Sequence, residues 1–211
     1  MEVHLYIQNN QIVYEPVVNG SITWETHRSG QPGKCSFSII PDSKLVIEEG
    51  NAVRLDVAGK PVFFGFVFER SWSSDGIVKV TVYDQLRYLK NKDSYNYSNL
   101  TAGQIVQMIA GDFNLQTGTL ADTGQPLSRN EKDSTLFDII LNALDLTMIY
   151  TGKIYVLYDD VGKLTLQNVE DMKLDIMIND ETAQDYDYKI SIDSDTYNQI
   201  KVYYDNSDTK K

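Results

Sequence analysis

Cysteine occurs once in the 211 residues and histidine twice, and lysine plus arginine number 19 against 30 acids, for a net charge of -11. Each scarcity excludes something. Cys35 alternates with Phe37 and Ile39 in "KCSFSII", so it reads as a small apolar residue inside a strand, and no neighbouring histidine makes it a catalytic thiol. His4 and His27 lie in different segments, neither with a second ligand two to four positions on, which leaves zinc without a site. An excess of acid repels the phosphate backbone that nucleic-acid binders neutralise with clustered bases, which argues against specific DNA or RNA binding. No run approaches the roughly 20 apolar residues of a membrane span. The start "MEVHLYIQNN" lacks a basic segment followed by an apolar one, so the expectation is a soluble chain without a signal peptide, and no membrane partner. G-x-S-x-G, G-x-x-x-x-G-K-[ST] and histidine-bearing nucleophile arrangements are missing as well, so the sequence supplies no catalytic residue, no metal ligand and no cofactor-binding motif.

What is present is strand pattern. "VHLYI" and "QIVYE" flank Asn9-Asn10; "GSITWET" and "GKCSFSII" follow, split by "HRSGQPG"; then come "AVRLDV", a turn at Ala58-Gly59, and "IVKVTVY" after Asp75-Gly76. The strand between, in "GKPVFFGFVFE", is apolar on both faces: Val62, Phe64, Phe66 and Phe68 point one way, Phe63, Gly65 and Val67 the other. Half-exposed antiparallel strands alternate apolar with polar, so this one is expected to be covered twice. Phe64 and Phe66 are read as its core face, and Phe63 and Val67 as the face covered by an inserted domain or neighbouring subunit.

At Asp84 the period changes. In "YDQLRYLKNKD", Asp84 is placed to cap a short helix whose Leu86 and Leu89 would plug the end of the β unit. Thr101 and Gln104 have capping-box spacing, Leu100 and Ile105 that of a hydrophobic staple, and Ile105, Met108 and Ile109 share a face. After a polar loop, a second helix starts near Ser134 or Thr135 with Leu136, Ile139, Ile140, Ala143 and Leu144 as its stripe, and "KIYVLY" and "KLTLQNV" pair across "DDVG". The acid-rich end still alternates in "YKISID" and "NQIKVYY", as strands do.

The remaining polar constellations read as structural. Asp193 and Asp195 open like a calcium loop, but Tyr197 stands where a third oxygen ligand belongs. Asp159-Asp160 before a glycine form a turn rather than a carboxylate pair facing across a cleft. Trp24, Trp72 and the 14 tyrosines suit core or interface better than a carbohydrate platform.

The blocks "ITWETHRSGQPGKCSFSIIPD", "EEGNAVRLDVAGKPVFFGFVFE", "DGIVKVTVYDQLRYLKNKDSY", "TAGQIVQMIAGDFNL", "STLFDIILNALDLT" and "TGKIYVLYDDVGKLTL" resemble, in this order and through nearly the whole chain, the XkdQ/YqbQ-like proteins of PBSX-type prophages. These resemble in turn the baseplate hub proteins of contractile tails. The resemblance implies a β-rich α+β fold: a tube-type antiparallel β-barrel at residues 1–92, an α+β inserted domain with two helices and a β-hairpin at 93–180, and a second, truncated barrel beginning at 181–211. It implies a homotrimer of the full-length protein, with the tail tube protein, the central spike protein and neighbouring baseplate proteins as partners, and a place in the virion tail after assembly in the host cytoplasm. The severed second barrel adds Ile200, Val202 and Tyr204 to Phe63 and Val67 as expected interface residues. Two other classes stay in view: a LysM-like peptidoglycan-binding module, since the first helix somewhat resembles LysM helices, and a tail-associated cell-wall hydrolase. The first would need exposed aromatic platforms and the second an acid and a base, neither of which the sequence displays.

Overall fold

The computed structural model describes residues 2–179 together with Thr182, Ile190, Gln199 and Lys201. By contact the chain divides into Met1–Lys173 and Leu174–Lys211. The expected strands "YKISID" and "NQIKVYY", the interface residues Ile200, Val202 and Tyr204, and the Asp193/Asp195 pair lie outside the described residues.

The first eight strands build one antiparallel sheet: β1 (Val3–Asn9), β2 (Ile12–Tyr14), β3 (Val17–Val18), β4 (Thr23–Glu25), β5 (Lys34–Ile40), β6 (Ala52–Val57), β7 (Lys60–Trp72) and β8 (Val78–Tyr83). The order is β2-β1-β6-β7-β8-β5-β3, with β4 also on β5. The two end strands, β2 and β3, are separated in sequence only by Glu15 and Pro16, so one stretch of chain links both edges of the sheet. The sheet is therefore curled into an antiparallel half-barrel, and its concave side gathers Ile7, Cys35, Phe37, Ile39, Val53, Leu55, Val80 and Val82 into a dry core. Cys35 sits there, fully buried, as its alternation predicts.

The assignment of the two faces of β7 is reversed. Phe63 and Val67 are 3% and 2% exposed and belong to the half-barrel core, whereas Phe64, Phe66 and Phe68 are half-buried on the outer face. The cause is one residue. The turn Ala58-Gly59 has φ of 50° and 74°, the positive values a two-residue hairpin requires. From that turn an unbroken ladder would set Val62 and Phe64 against the core residues Leu55 and Val53. Instead Asp56 pairs with Pro61 and Leu55 with Phe63, so a β-bulge makes Val62 the extra residue and turns every later side chain over.

A second core follows. It is enclosed by the 3-10 turn Gln85–Lys90, β9 (Lys92–Leu100), α1 (Ala102–Asp112), β10 (Thr117–Leu120), β11 (Leu127–Thr135), α2 (Leu136–Thr151), β12 (Tyr155–Asp159) and β13 (Leu164–Asn168), with a last 3-10 turn at Val169–Met172. Thr101 and Gln104 form the full capping box of α1, and Thr135 caps α2, which ends on Gly152 at φ 70°. Ile105, Ile109, Leu136, Ile139 and Ile140 are buried between the helices, each contributing roughly 1.5–3 kcal/mol. Leu86 and Leu89 join this core rather than plugging the half-barrel, because the turn carrying them packs against α2 and β12.

β12 and β13 pair antiparallel across the Asp160–Gly162 turn as read, with β10 added in parallel. β9 and β11 pair as a two-stranded ribbon where the sequence reads only as loop. In the second unit, Leu174, Ile176, Met177 and Ile178 are exposed, and the main-chain N–H groups of Asn179 and Thr182 donate to each other's side chains.

Candidate functional site

The outer face of β7 carries a ladder of rings. Phe64 and Phe66 meet edge to face at 5.5 Å between centroids, Phe66 meets Tyr88 at 6.4 Å, Tyr88 meets Phe68 at 6.1 Å, and Phe68 meets Tyr83 at 5.5 Å. Aromatic quadrupoles favour such edge-to-face geometry. Sheet register brings Phe66 opposite Tyr83 across β7 and β8, and the capped turn after Asp84 swings Tyr88 onto the ladder. A second bulge, with Phe68 as the extra residue between the Val67–Val82 and Glu69–Thr81 pairs, follows that ring and turns over the side chains from Glu69 onward.

Arginines close both ends. Arg87 lies over Phe68 at 5.4 Å and Tyr83 at 6.0 Å; Arg54 lies over Tyr6 at 5.0 Å and is bonded to Asp56 at 2.9 Å. Two grooves flank Phe64. One, of about 280 Å³, runs between Phe66, Tyr88, Phe113 and Leu115, and the other, of about 420 Å³, between Tyr6, Val13 and Arg54.

The second core is fastened to this face by a polar seam. Asp84 accepts from the Gly33 N–H (2.8 Å) and the Leu86 N–H (3.0 Å). Gln85 donates to Asp159 (3.2 Å) and to the carbonyls of Gln116 and Gly162, while its Oε1 accepts from the Gln116 N–H (2.9 Å). Gly162, at φ 87°, sits flat on the Phe64 ring: a Cβ there would come within 2.7 Å of it. One end of the ladder is thus covered from within the chain, and Phe66, Tyr88, Phe68 and Tyr83 stay half-exposed.

Asp84 and Asp159 also line a cavity of about 710 Å³ with Trp24, His27, Tyr158 and Asp160. Burial, reinforced by the charge of Asp159, pushes Asp84 up to about 7, and burial raises Asp159 as well. Their oxygens are already engaged by backbone and Gln85 donors, Asp159 through the turn N–H of Gly162 at 2.6 Å, which makes them fasteners of the seam. His4 is held between Glu2 and Glu15, whose hydrogen bonds raise its pKa, away from His27. Trp72 stands under Arg70 at 5.3 Å, off the ladder. The burial that raises the Cys35 thiol to about 12 leaves it no thiolate character. Among the described residues no group of three metal-ligating side chains occurs, and no helix is long and apolar enough to cross a membrane.

Sequence reasoning named the right strand but not Tyr83, Tyr88 or Arg87. Their signal was present, since Tyr83 alternates with core Val82 and Val80, and Tyr88 stands beside core Leu89.

A curled antiparallel sheet fastened to a helix-bearing layer is a fold shared with phage tail proteins: the 43 kDa tail protein of prophage MuSo2 from Shewanella oneidensis superposes with a TM-score of 0.61 at 18% identity, covering 78% of this chain and 52% of that one. The sequence model of the YQBQ-like family matches residues 22–211, and the chain belongs to that family. Bacillus subtilis (strain 168) has two relatives: the phage-like element PBSX protein XkdQ, 37% identical over 72% of this chain, and the protein YqbQ, 34% identical over 88% of it. The chain spans 48% and 59% of their respective lengths.

Proposed function

We propose that the chain is a structural component of a phage or prophage tail that works through protein interfaces without catalysis. Within the tail its place is the baseplate hub, joining tail tube to central spike. The observation carrying this reading is the aromatic ladder: a half-buried apolar face, ordered by its own edge-to-face contacts and flanked by grooves, is what a subunit awaiting a neighbour presents. The family and the tail-protein fold support it. In this reading residues 1–92 are a tube-type barrel domain, 93–180 an inserted domain and 181–211 the start of a second barrel. The full-length protein is then a homotrimer offering six barrel faces to the tail tube.

The polar residues support interface over chemistry, since the buried carboxylates serve the seam. In α1, Ile105 and Ile109 pack inward and Gln104 and Gln107 face out, which leaves that helix without the exposed rings of a glycan groove. The test is electron microscopy of complete particles carrying a tagged copy of the full-length protein, with purified tube and spike proteins for reconstitution. Label at the junction of tube and spike is expected. Label on sheath or fibres, or lysis of purified cell walls by the protein, would refute the hub.

A further inference from the structure

We propose that Arg87 is the recognition residue of the ladder and that the partner covering this face brings a carboxylate to it, from an apolar protein segment carrying an Asp or Glu. This rests on the interface reading above and names the chemistry of the partner. Arg54, Arg70 and Arg129 each hold a carboxylate of their own chain, at 2.9, 2.7 and 2.6 Å. Arg87 has no carboxylate within ion-pair distance among the described residues, although it is half-buried over two rings. The rings offer the guanidinium their π-faces but no acceptor oxygen for its five N–H donors, which form a planar fork suited to a carboxylate.

Two requirements follow for whatever covers Phe66, Tyr88 and Phe68. It must be apolar to replace water on the rings. It must also answer the guanidinium it buries beside them, because an unpaired charge taken out of water is costly while a bidentate carboxylate matches the fork. At the opposite end Arg54 is already matched by Asp56 and makes no such demand. A phosphate could satisfy the fork too, but the ladder rings are packed against one another at interplanar angles of 54–83°, so they form no open run of parallel faces for stacked bases.

The experiment measures binding of the chain to purified tail tube protein and, separately, spike protein, for wild type and for Arg87→Gln, Arg87→Glu and Arg87→Lys variants verified as folded by circular dichroism. Wild type is expected to bind one of the two, Arg87→Gln and Arg87→Glu to weaken that binding by about tenfold or more, and Arg87→Lys to retain part of it. In the Arg87→Lys complex, carbodiimide should join the new amine to one Asp or Glu of the partner, identified by mass spectrometry.

Wild-type binding unchanged in Arg87→Glu, or coupling of the Arg87→Lys amine only within its own chain, would overturn the role of Arg87 and leave the tail reading standing. Binding of neither protein by wild type would overturn the tail reading and this inference with it. Arg87-dependent binding of a single-stranded oligonucleotide would overturn the protein-carboxylate assignment.

Discussion

Replacing Phe63 with Ala and, separately, Phe66 with Ala tests the inversion of β7, because the two rings stand three positions apart on opposite faces of one strand. Phe63 is 3% exposed and packs in the half-barrel core with Leu55 as its cross-strand partner. Truncating a ring in such a site removes its transfer energy and leaves a cavity, together about 3–5 kcal/mol. Phe66 is half-exposed and loses chiefly its edge contacts to Phe64 and Tyr88, roughly 0.5–1.5 kcal/mol each. For a chain of this length 1 kcal/mol corresponds to about 2–4 °C in Tm, so Phe63→Ala should lower the melting temperature by roughly 6–20 °C and Phe66→Ala by roughly 2–12 °C, the smaller of the two losses when both are measured side by side. Chemical denaturation followed by far-ultraviolet circular dichroism should give the same ranking. An equal or larger loss for Phe66→Ala would mean that the ladder runs unbroken from Ala58-Gly59 and that the bulge at Val62 is wrong.

Other consequences are open to measurement. Asp84 is raised from 3.8 to about 7, so the folded chain holds a proton that the unfolded chain releases; the stability this provides is complete below the unfolded value and is lost as pH rises through about 7. Between about pH 5 and 8 wild type should therefore lose stability relative to Asp84→Asn, whatever their absolute difference, and parallel denaturation midpoints across that window would contradict the assignment. Gly65→Ala should destabilise by about 1–3 kcal/mol, because its Cβ would come within 2.4 Å of the Tyr83 carbonyl; a midpoint within error of wild type would show that β7 and β8 lie farther apart. Cys35 should resist a thiol reagent at pH 8 until the chain is unfolded by denaturant, and stoichiometric labelling of the native protein would count against its burial. Thr101→Ala should cost about 1 kcal/mol through loss of the α1 cap, and no change in the denaturation midpoint would mean that the cap is satisfied by other donors and acceptors.

The parts legible in the sequence were those where one local rule sufficed. Thr101 and Gln104 satisfy two of the orphan N–H groups at the start of α1, and the stripe from Leu136 to Leu144 needs only a period of 3.6 to be seen. The ribbon of β9 and β11 escaped notice because "KDSYNYSNL" and "LSRNEKDST" are made of residues that strands avoid, with Tyr97, Leu127 and Glu131 as their buried members. What makes them strands is each other: Tyr95 stands opposite Glu131 and Leu100 opposite Leu127, partners separated by the whole of α1. No window along the chain contains that pairing. Leu86 and Leu89 were legible as buried but not as to which core, since a short turn between two cores can serve either.

The two-faced strand posed a different difficulty, in which composition marked both faces as apolar while the choice of core face rested on parity. Counting outward from Ala58-Gly59 gives one answer, and a single inserted residue gives the other. One feature of the sequence argues for the insertion. Pro61 supplies no N–H to a regular ladder one step past the turn, a position where bulges are favoured. In consequence Arg54 stands opposite Phe64, and its guanidinium and that ring share the outer face. Gly65 is then required where β6, β7 and β8 press closest, with Val53 opposite it on one side and the Tyr83 carbonyl against it on the other. The same shift that buries Phe63 and Val67 delivers Phe64, Phe66 and Phe68 to the outside, where Gly162 covers the first and the rings of Tyr83 and Tyr88 complete the ladder. Gly162 accounts for an apolar ring at Phe64, whereas a half-barrel needing only internal stability would be served as well by threonine or lysine in place of Phe66 and Phe68, and the partner proposed above is what would give those two rings their use.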